Sequence, residues 1–165
     1  MTKAPNSDQT NESIKPWSAG QERFGKWFIK RIGKWQTFVY ELTGGRLWSR
    51  FLGVECAILT TTGRKSGAAR KTPLLYLAQG DEVVMVASQG GMSSMPLWYR
   101  NLQATPEAVV QVGRDQRQMT ARDANEQERA ALWPQLDALY PGYQEYRART
   151  DGVREIPIVI FTPRV

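Results

Sequence analysis

The sequence contains no histidine. The side chain that most often moves protons near neutral pH, and most often ligates metals, is therefore missing. A Ser-His-Asp or Cys-His hydrolase is excluded. With a single cysteine, Cys56, an internal disulfide is excluded and no metal site is expected. Cys56 opens an apolar stretch, where a buried and inert thiol is expected. Long apolar runs are also missing. None approaches the roughly 18–20 residues that a membrane-spanning helix needs, and no apolar segment follows the first residues as a secretory signal would require. No G-x-G-x-x-G follows a first strand, and no βαβαβ alternation is legible, which argues against a doubly wound fold. The segment Gly63-Arg64-Lys65-Ser66 lacks the earlier glycine and the following helix of a Walker loop. An enzyme without these groups takes its chemistry from a bound cofactor.

What is present suits one globular domain: 165 residues, 41% hydrophobic and 23% charged. The net charge of +6 points to an anionic partner, whether a phosphorylated ligand, a membrane surface or nucleic acid. Residues 1–20 are polar and read as a disordered tail. Residues 21–52 change character. Phe24, Trp27, Phe28, Ile32, Trp35, Phe38, Val39 and Leu42 recur at spacings of three and four, with Arg23, Lys26, Lys30, Arg31 and Lys34 between them and no acid from 23 to 40. This spacing predicts a basic amphipathic helix, broken near Gly33 or at Gly44-Gly45. Interleaved Trp and Lys suit an anionic headgroup layer. The same aromatic face would serve equally to pack on the domain, and the residues leave both readings open.

Strands dominate residues 53–165. Val54–Thr62 and Thr72–Ala78 flank a Gly-Arg-Lys-Ser-Gly turn. Glu82–Ser88 is a further strand, and Val109–Val112 and Arg117–Ala121 are short strands joined near Gly113. Ile156–Phe161 is the last. A short helix follows Met95-Pro96, a second opens at Asn125 with Glu128 three residues on, and a third follows Pro141; Pro134 is expected to kink or divide the second. The order predicts an α+β protein, a small antiparallel barrel of about six strands with peripheral helices.

Three places carry candidate chemistry. Arg64, Lys65, Arg70 and Lys71 gather four cations at one hairpin tip, with the Ser66 hydroxyl among them. Such a tip cradles phosphates or carboxylates, or is simply a solvated basic turn. Ser88-Gln89-Gly90-Gly91 ends a buried strand, and its adjacent glycines let main chain approach a flat ligand; otherwise it is a plain turn. Trp98 and Tyr99 on the next helix wall that ligand or pack in the core. Tyr140, Tyr143 and Tyr146 recur every third residue, which puts three phenols on one face. That wall suits a planar, oxygen-bearing substrate such as a quinone or nitroaromatic, and a phenol there can supply a proton. Its other use is packing against the barrel.

The segments TTTGRKSG-x-x-R, ASQGG-x(4)-PLWYRNL and TARDA-x(3)-ERAALWPQL-x(3)-YPGYQEY, closed by REIPIVIF, resemble in order and spacing the deazaflavin-dependent nitroreductase family of actinobacteria. The resemblance implies a split β-barrel of the flavin-reductase and pyridoxamine-phosphate-oxidase type. It implies coenzyme F420 as cofactor, a deazaflavin with a phosphate and an oligoglutamate tail. Arg64, Lys65, Ser66 and Arg70 would hold the tail, and Ser88, Gln89, Gly90, Gly91, Leu97 and Trp98 would line the ring. Leu75, Tyr76, Tyr140, Tyr143 and Tyr146 would line the substrate, with Tyr140, Tyr143 and Ser88 nearest the chemistry. The substrate would be a quinone, an activated enone or a nitroaromatic. Leu75, Gln89 and Arg149 stand where the family's best-known nitroreductase carries Tyr, Lys and Trp, which favours quinones or enones over nitroimidazoles. The implied setting is a cytoplasmic monomer, on the inner face of the membrane through residues 21–42, with no nucleic-acid partner, since no basic stripe crosses several strands. Two rivals stand beside this reading: an FMN reductase on the same barrel, and a non-enzymatic membrane-surface module.

Overall fold

The computed structural model describes residues 16–25, 50–51 and 54–164. The expected tail, over 1–20, and the amphipathic helix, over 21–52, lie largely outside the described residues. Within them, residues 19–25 are helical. Ser18 and Gln21 bond each other's main chain at that helix start: Ser18 Oγ accepts from Gln21 N at 3.3 Å, and Gln21 Oε1 accepts from Ser18 N at 2.9 Å.

The described strands are β1 (Arg50–Phe51), β2 (Val54–Thr62), β3 (Ala69–Leu75), β4 (Leu77–Gln79), β5 (Glu82–Val86), β6 (Glu107–Val112), β7 (Asp115–Asp123) and β8 (Ile158–Pro163). The helices are α1 (Leu97–Ala104), α2 (Glu126–Leu139) and α3 (Gly142–Thr150). Every described ladder is antiparallel, and the hydrogen-bonded path runs β3-β2-β6-β7-β8-β5-β4. Its ends are consecutive in sequence, with only Tyr76 between β3 and β4. The sheet thus curls until its two edges meet at one residue, with no ladder closing it. The single strand expected over Thr72–Ala78 is two, because the chain changes partner from β2 to β5 there. Pro73 is tolerated in β3 because, among the described residues, that strand pairs on one side only, where a missing N–H breaks no second ladder.

Alternation along β5 and β8 makes two cores. Val83, Met85, Val159 and Phe161 point into the barrel with Ala57, Leu59, Val110 and Met119, and α1 caps them with Trp98, Tyr99 and Leu102. Val84, Val86, Ile158 and Ile160 point outward, under Leu132 and Leu136 of α2 and Tyr143 of α3. The runs VVMV and IVIF are continuous rather than alternating because both faces of these strands are covered. Asn125 caps α2 through a full capping box: its Oδ1 accepts from Glu128 N and Glu128 Oε2 accepts from Asn125 N, both at 2.9 Å. α2 runs unbroken through Pro134. Pro134 and Ala130 are both exposed, so the proline lies on the solvent side of the helix, away from the packed Leu132 and Leu136.

Candidate functional site

The basic turn is built by its glycines. Gly63 N donates to Ala68 O at 2.8 Å, and Gly67 N to Gly63 O at 2.7 Å with φ +66°. A Cβ at Gly63 would lie 2.9 Å from Ser66 Oγ and 3.0 Å from Ala68 O, so the turn closes only around glycine. Ser66 Oγ accepts from Arg70 Nη2 at 3.3 Å, which aims that guanidinium across the tip. Arg64, Lys65, Ser66 and Arg70 are exposed, and among the described residues no carboxylate pairs with the three cations. The turn is locked by a residue that sequence reading missed. Asn101, buried on α1, accepts from Arg64 N at 3.2 Å and donates to Thr61 Oγ1 at 3.0 Å. The available signal was an asparagine on the face of α1 that also carries Trp98 and Leu102.

The loop after β5 is the second part. Ser88 is 9% exposed, and Gln89, Gly90 and Gly91 form a short 3-10 turn with φ of 49°, 65° and 73°. A Cβ at Gly90 would meet nothing within 4 Å, whereas one at Gly91 would lie 3.1 Å from Tyr146 Cα. The loop therefore seats its second glycine against α3 and leaves the first open. Gln89 turns its amide inward to Ser94 Oγ at 3.1 Å and the Met92 sulfur at 3.6 Å. Behind the loop stands Arg154, also missed, which donates to the carbonyls of Ser88 at 2.6 Å, Met92 at 2.8 Å and Ala87 at 3.3 Å. From the N-terminal segment, Trp17 Nε1 donates to Gly90 O at 3.0 Å and its ring lies 4.5 Å under the Arg149 guanidinium. Glu22 accepts from Ser93 N at 2.7 Å and Ser93 Oγ at 3.0 Å.

The tyrosines form the third part. Tyr140 and Tyr146 share a hydrogen bond between hydroxyls at 3.0 Å, and Tyr143 meets both rings edge-on at 5.2 and 6.2 Å. Burial pushes the Tyr143 phenol above the usual tyrosine range. Burial, then the bond to Tyr140, does the same for Tyr146. The trio converges with Leu75, which packs on the same outer core, and with Gly91 through Tyr146. Tyr76 is not brought to this group: it packs against the inner core and donates to Glu55 Oε2 at 3.1 Å. Trp98 is 5% exposed inside the barrel cap, while Leu97 on the same helix is 71% exposed. Leu97 lies just over one turn, about 6 Å along the axis, from Asn101. α1 thus ties the loop end of the site to the basic turn. A cavity of about 490 Å³ near Arg129, Trp133 and Arg147 has these two cations paired, Arg147 with Asp137 and Arg129 with Glu155, and its third, Arg154, is spent on main-chain carbonyls.

Comparison with known proteins bears on this constellation. A family model described as F420H(2)-dependent quinone reductase matches residues 32–163. The F420H(2)-dependent quinone reductase Rv1261c of Mycobacterium tuberculosis is 33% identical over 147 residues, covering 84% of this chain and 97% of that protein. A solved structure titled F420-H2 dependent reductase FDR-A is 39% identical, with a TM-score of 0.59 over 64% of this chain and 92% of the other. Another, titled a domain-swapped dimer, is 34% identical, with a TM-score of 0.62 over 76% of this chain and 94% of the other. The chain belongs to the F420H(2)-dependent quinone reductase family, whose cofactor is coenzyme F420.

Proposed function

We propose that this protein carries hydride from reduced F420 to a quinone, with the cofactor's anionic tail on the hairpin tip and its ring along the loop after β5. The observation that supports this most is the tip itself: cations without carboxylate partners among the described residues, on a turn held rigid by glycine geometry and Asn101. Arg64, Lys65 and Arg70 bind phosphate and carboxylates, and Ser66 fixes Arg70. Ser88, Gln89, Gly90 and Gly91 take the ring, with the open Cα side of Gly90 against it and Leu97 at its edge; Trp98 supports them from the core.

The bound deazaflavin supplies a hydride. The chain's own residues orient the two planar partners and exclude water between them. Leu75, Tyr140, Tyr143 and Tyr146 wall the quinone. Tyr143 and Tyr146 are neutral phenols at neutral pH, and burial, which raises both pKa values, makes them reluctant acids, so they offer hydrogen bonds and hold their protons. Hydride delivers two electrons and one hydrogen, and the remaining proton reaches the quinone oxygen from Tyr140 or Ser88, replenished by water. Residues 21–42 hold the protein, as a cytoplasmic monomer, to an anionic membrane where quinones dissolve. Pelleting with anionic liposomes at low salt and sedimentation test these two points.

The direct test is oxidation of reduced F420 by purified protein with a quinone, an activated enone or a nitroaromatic. Oxidation that depends on the quinone and is slowest with the nitroaromatic is expected. Oxidation indifferent to the quinone contradicts the proposal.

A further inference from the structure

We propose that Arg154 is a positioning residue for hydride transfer, holding the Ser88–Met92 loop in the course that presents the deazaflavin ring; this rests on the ring lying along that loop. The loop needs holding. Gln89, Gly90 and Gly91 all have positive φ, a conformation that disfavours a residue with a Cβ such as Gln89. Such a course persists only where its surroundings over-determine it.

Arg154 does so from beneath. Its Nη2 bonds the Ser88 carbonyl and its Nη1 the Ala87 carbonyl at the loop's entry, and its Nε bonds the Met92 carbonyl at the exit. One planar fork spans both ends, which a lysine ammonium cannot reproduce. The guanidinium is half-buried with no carboxylate at ion-pair distance among the described residues. Desolvation by burial lowers its pKa, so the cation sits there at a cost. Main-chain carbonyls take its charge, that of Glu155 at 3.3 Å among them, and the three of the loop belong to peptide groups whose N–H is Ser88, Gln89 or Ser93. The last of these points at Glu22: Ser93 N donates to Glu22 Oε1 at 2.7 Å while Arg154 holds the Met92 carbonyl of the same peptide. A cation and an anion thus polarise one peptide from opposite ends. Glu22 lies before the region that the family model covers, residues 32–163.

The test uses the full chain, with Arg154→Ala and Arg154→Lys beside the wild type. Amide hydrogen exchange is expected to quicken at residues 88–93 in Arg154→Ala while β5 and β8 stay protected. At saturating reduced F420, kcat with a quinone is expected to fall roughly 10- to 100-fold, as a displacement of about 1 Å does. F420 affinity should change far less, because the tail is gripped elsewhere. Added methylguanidinium should restore part of kcat to Arg154→Ala and leave wild type unaffected, and Arg154→Lys should fall between the two. Unchanged kcat, unchanged exchange in the loop, or a kcat loss that tracks a global loss of protection without rescue would overturn the proposal. Wild-type protein that fails to bind F420 would overturn the proposed function, and the catalytic role of Arg154 with it, and would show before any substitution is made.

Discussion

A methyl group at position 142 would lie 2.5 Å from Tyr140 Cε1 and Cζ. Glycine there lets the Tyr140 ring lie against the start of α3, within reach of the Tyr146 hydroxyl at 3.0 Å. Gly142→Ala is therefore expected to swing Tyr140 aside and break the hydroxyl pair. The outcome would be a several-fold rise in KM for the quinone, the equivalent of about 1 kcal/mol, with F420 affinity unchanged. An equal loss of F420 affinity would show that Tyr140 does not belong to the substrate wall alone. At this scale the sequence revealed residues whose chemistry is written in their neighbours: the clustered cations, the paired glycines, the tyrosines every third residue. It concealed Asn101 and Arg154, because each works by bonding groups at sequence separations of 37 and 66 residues. A lone Asn in a helix and a lone Arg before a strand carry no local mark of that.

The elements were the most legible part, and their departures have physical causes. β2 follows the expected Val54–Thr62, since β-branched residues and a glycine-bounded turn fix both ends. The change of partner at Tyr76 was not legible, because Leu74, Leu75 and Leu77 read alike as one apolar run. Pro134 does not divide its helix, which is held by packing of Leu132 and Leu136 and by its cap. The cap gives a prediction. Asn125→Ala should destabilise the protein by about 1 kcal/mol, read from denaturant unfolding. Its partner Glu128 is held down to about 2 by its bond to Arg122 first and by the Asn125 main chain second. A depressed carboxyl stabilises fully above its ordinary range, near 4.3, and that contribution is lost as pH falls toward about 2. Glu128→Gln should therefore lose stability less steeply than wild type over that window; identical acid limbs would refute the assignment.

On the scale of the molecule, one sheet with two covered faces lets α1 support the proposed cofactor side while α2 and α3 build the proposed substrate side. Phenols tie both cores to pH. Burial first, then the Asp123 carboxylate at 2.9 Å, pushes Tyr99 up to about 12, and burial raises Tyr143 and Tyr146 above the usual range. A raised phenol stabilises the fold fully below about 10 and ceases to as pH climbs past its folded value. Ultraviolet titration should thus find Tyr99, Tyr143 and Tyr146 resisting ionisation until the protein unfolds, and Tyr99→Phe should remove one of these resistant phenols. Ionisation of all three at the pH of a free phenol would contradict the two-core packing. The most direct test of the whole account is a fluorescence titration of wild type and Arg64→Ala with oxidised F420 and, separately, with FMN. The account predicts saturable F420 binding by wild type, a Kd raised about tenfold by Arg64→Ala as expected for one charge-assisted contact at an exposed site, and no comparable affinity for FMN. Equal affinity of the two proteins for F420, or a preference for FMN, would contradict it.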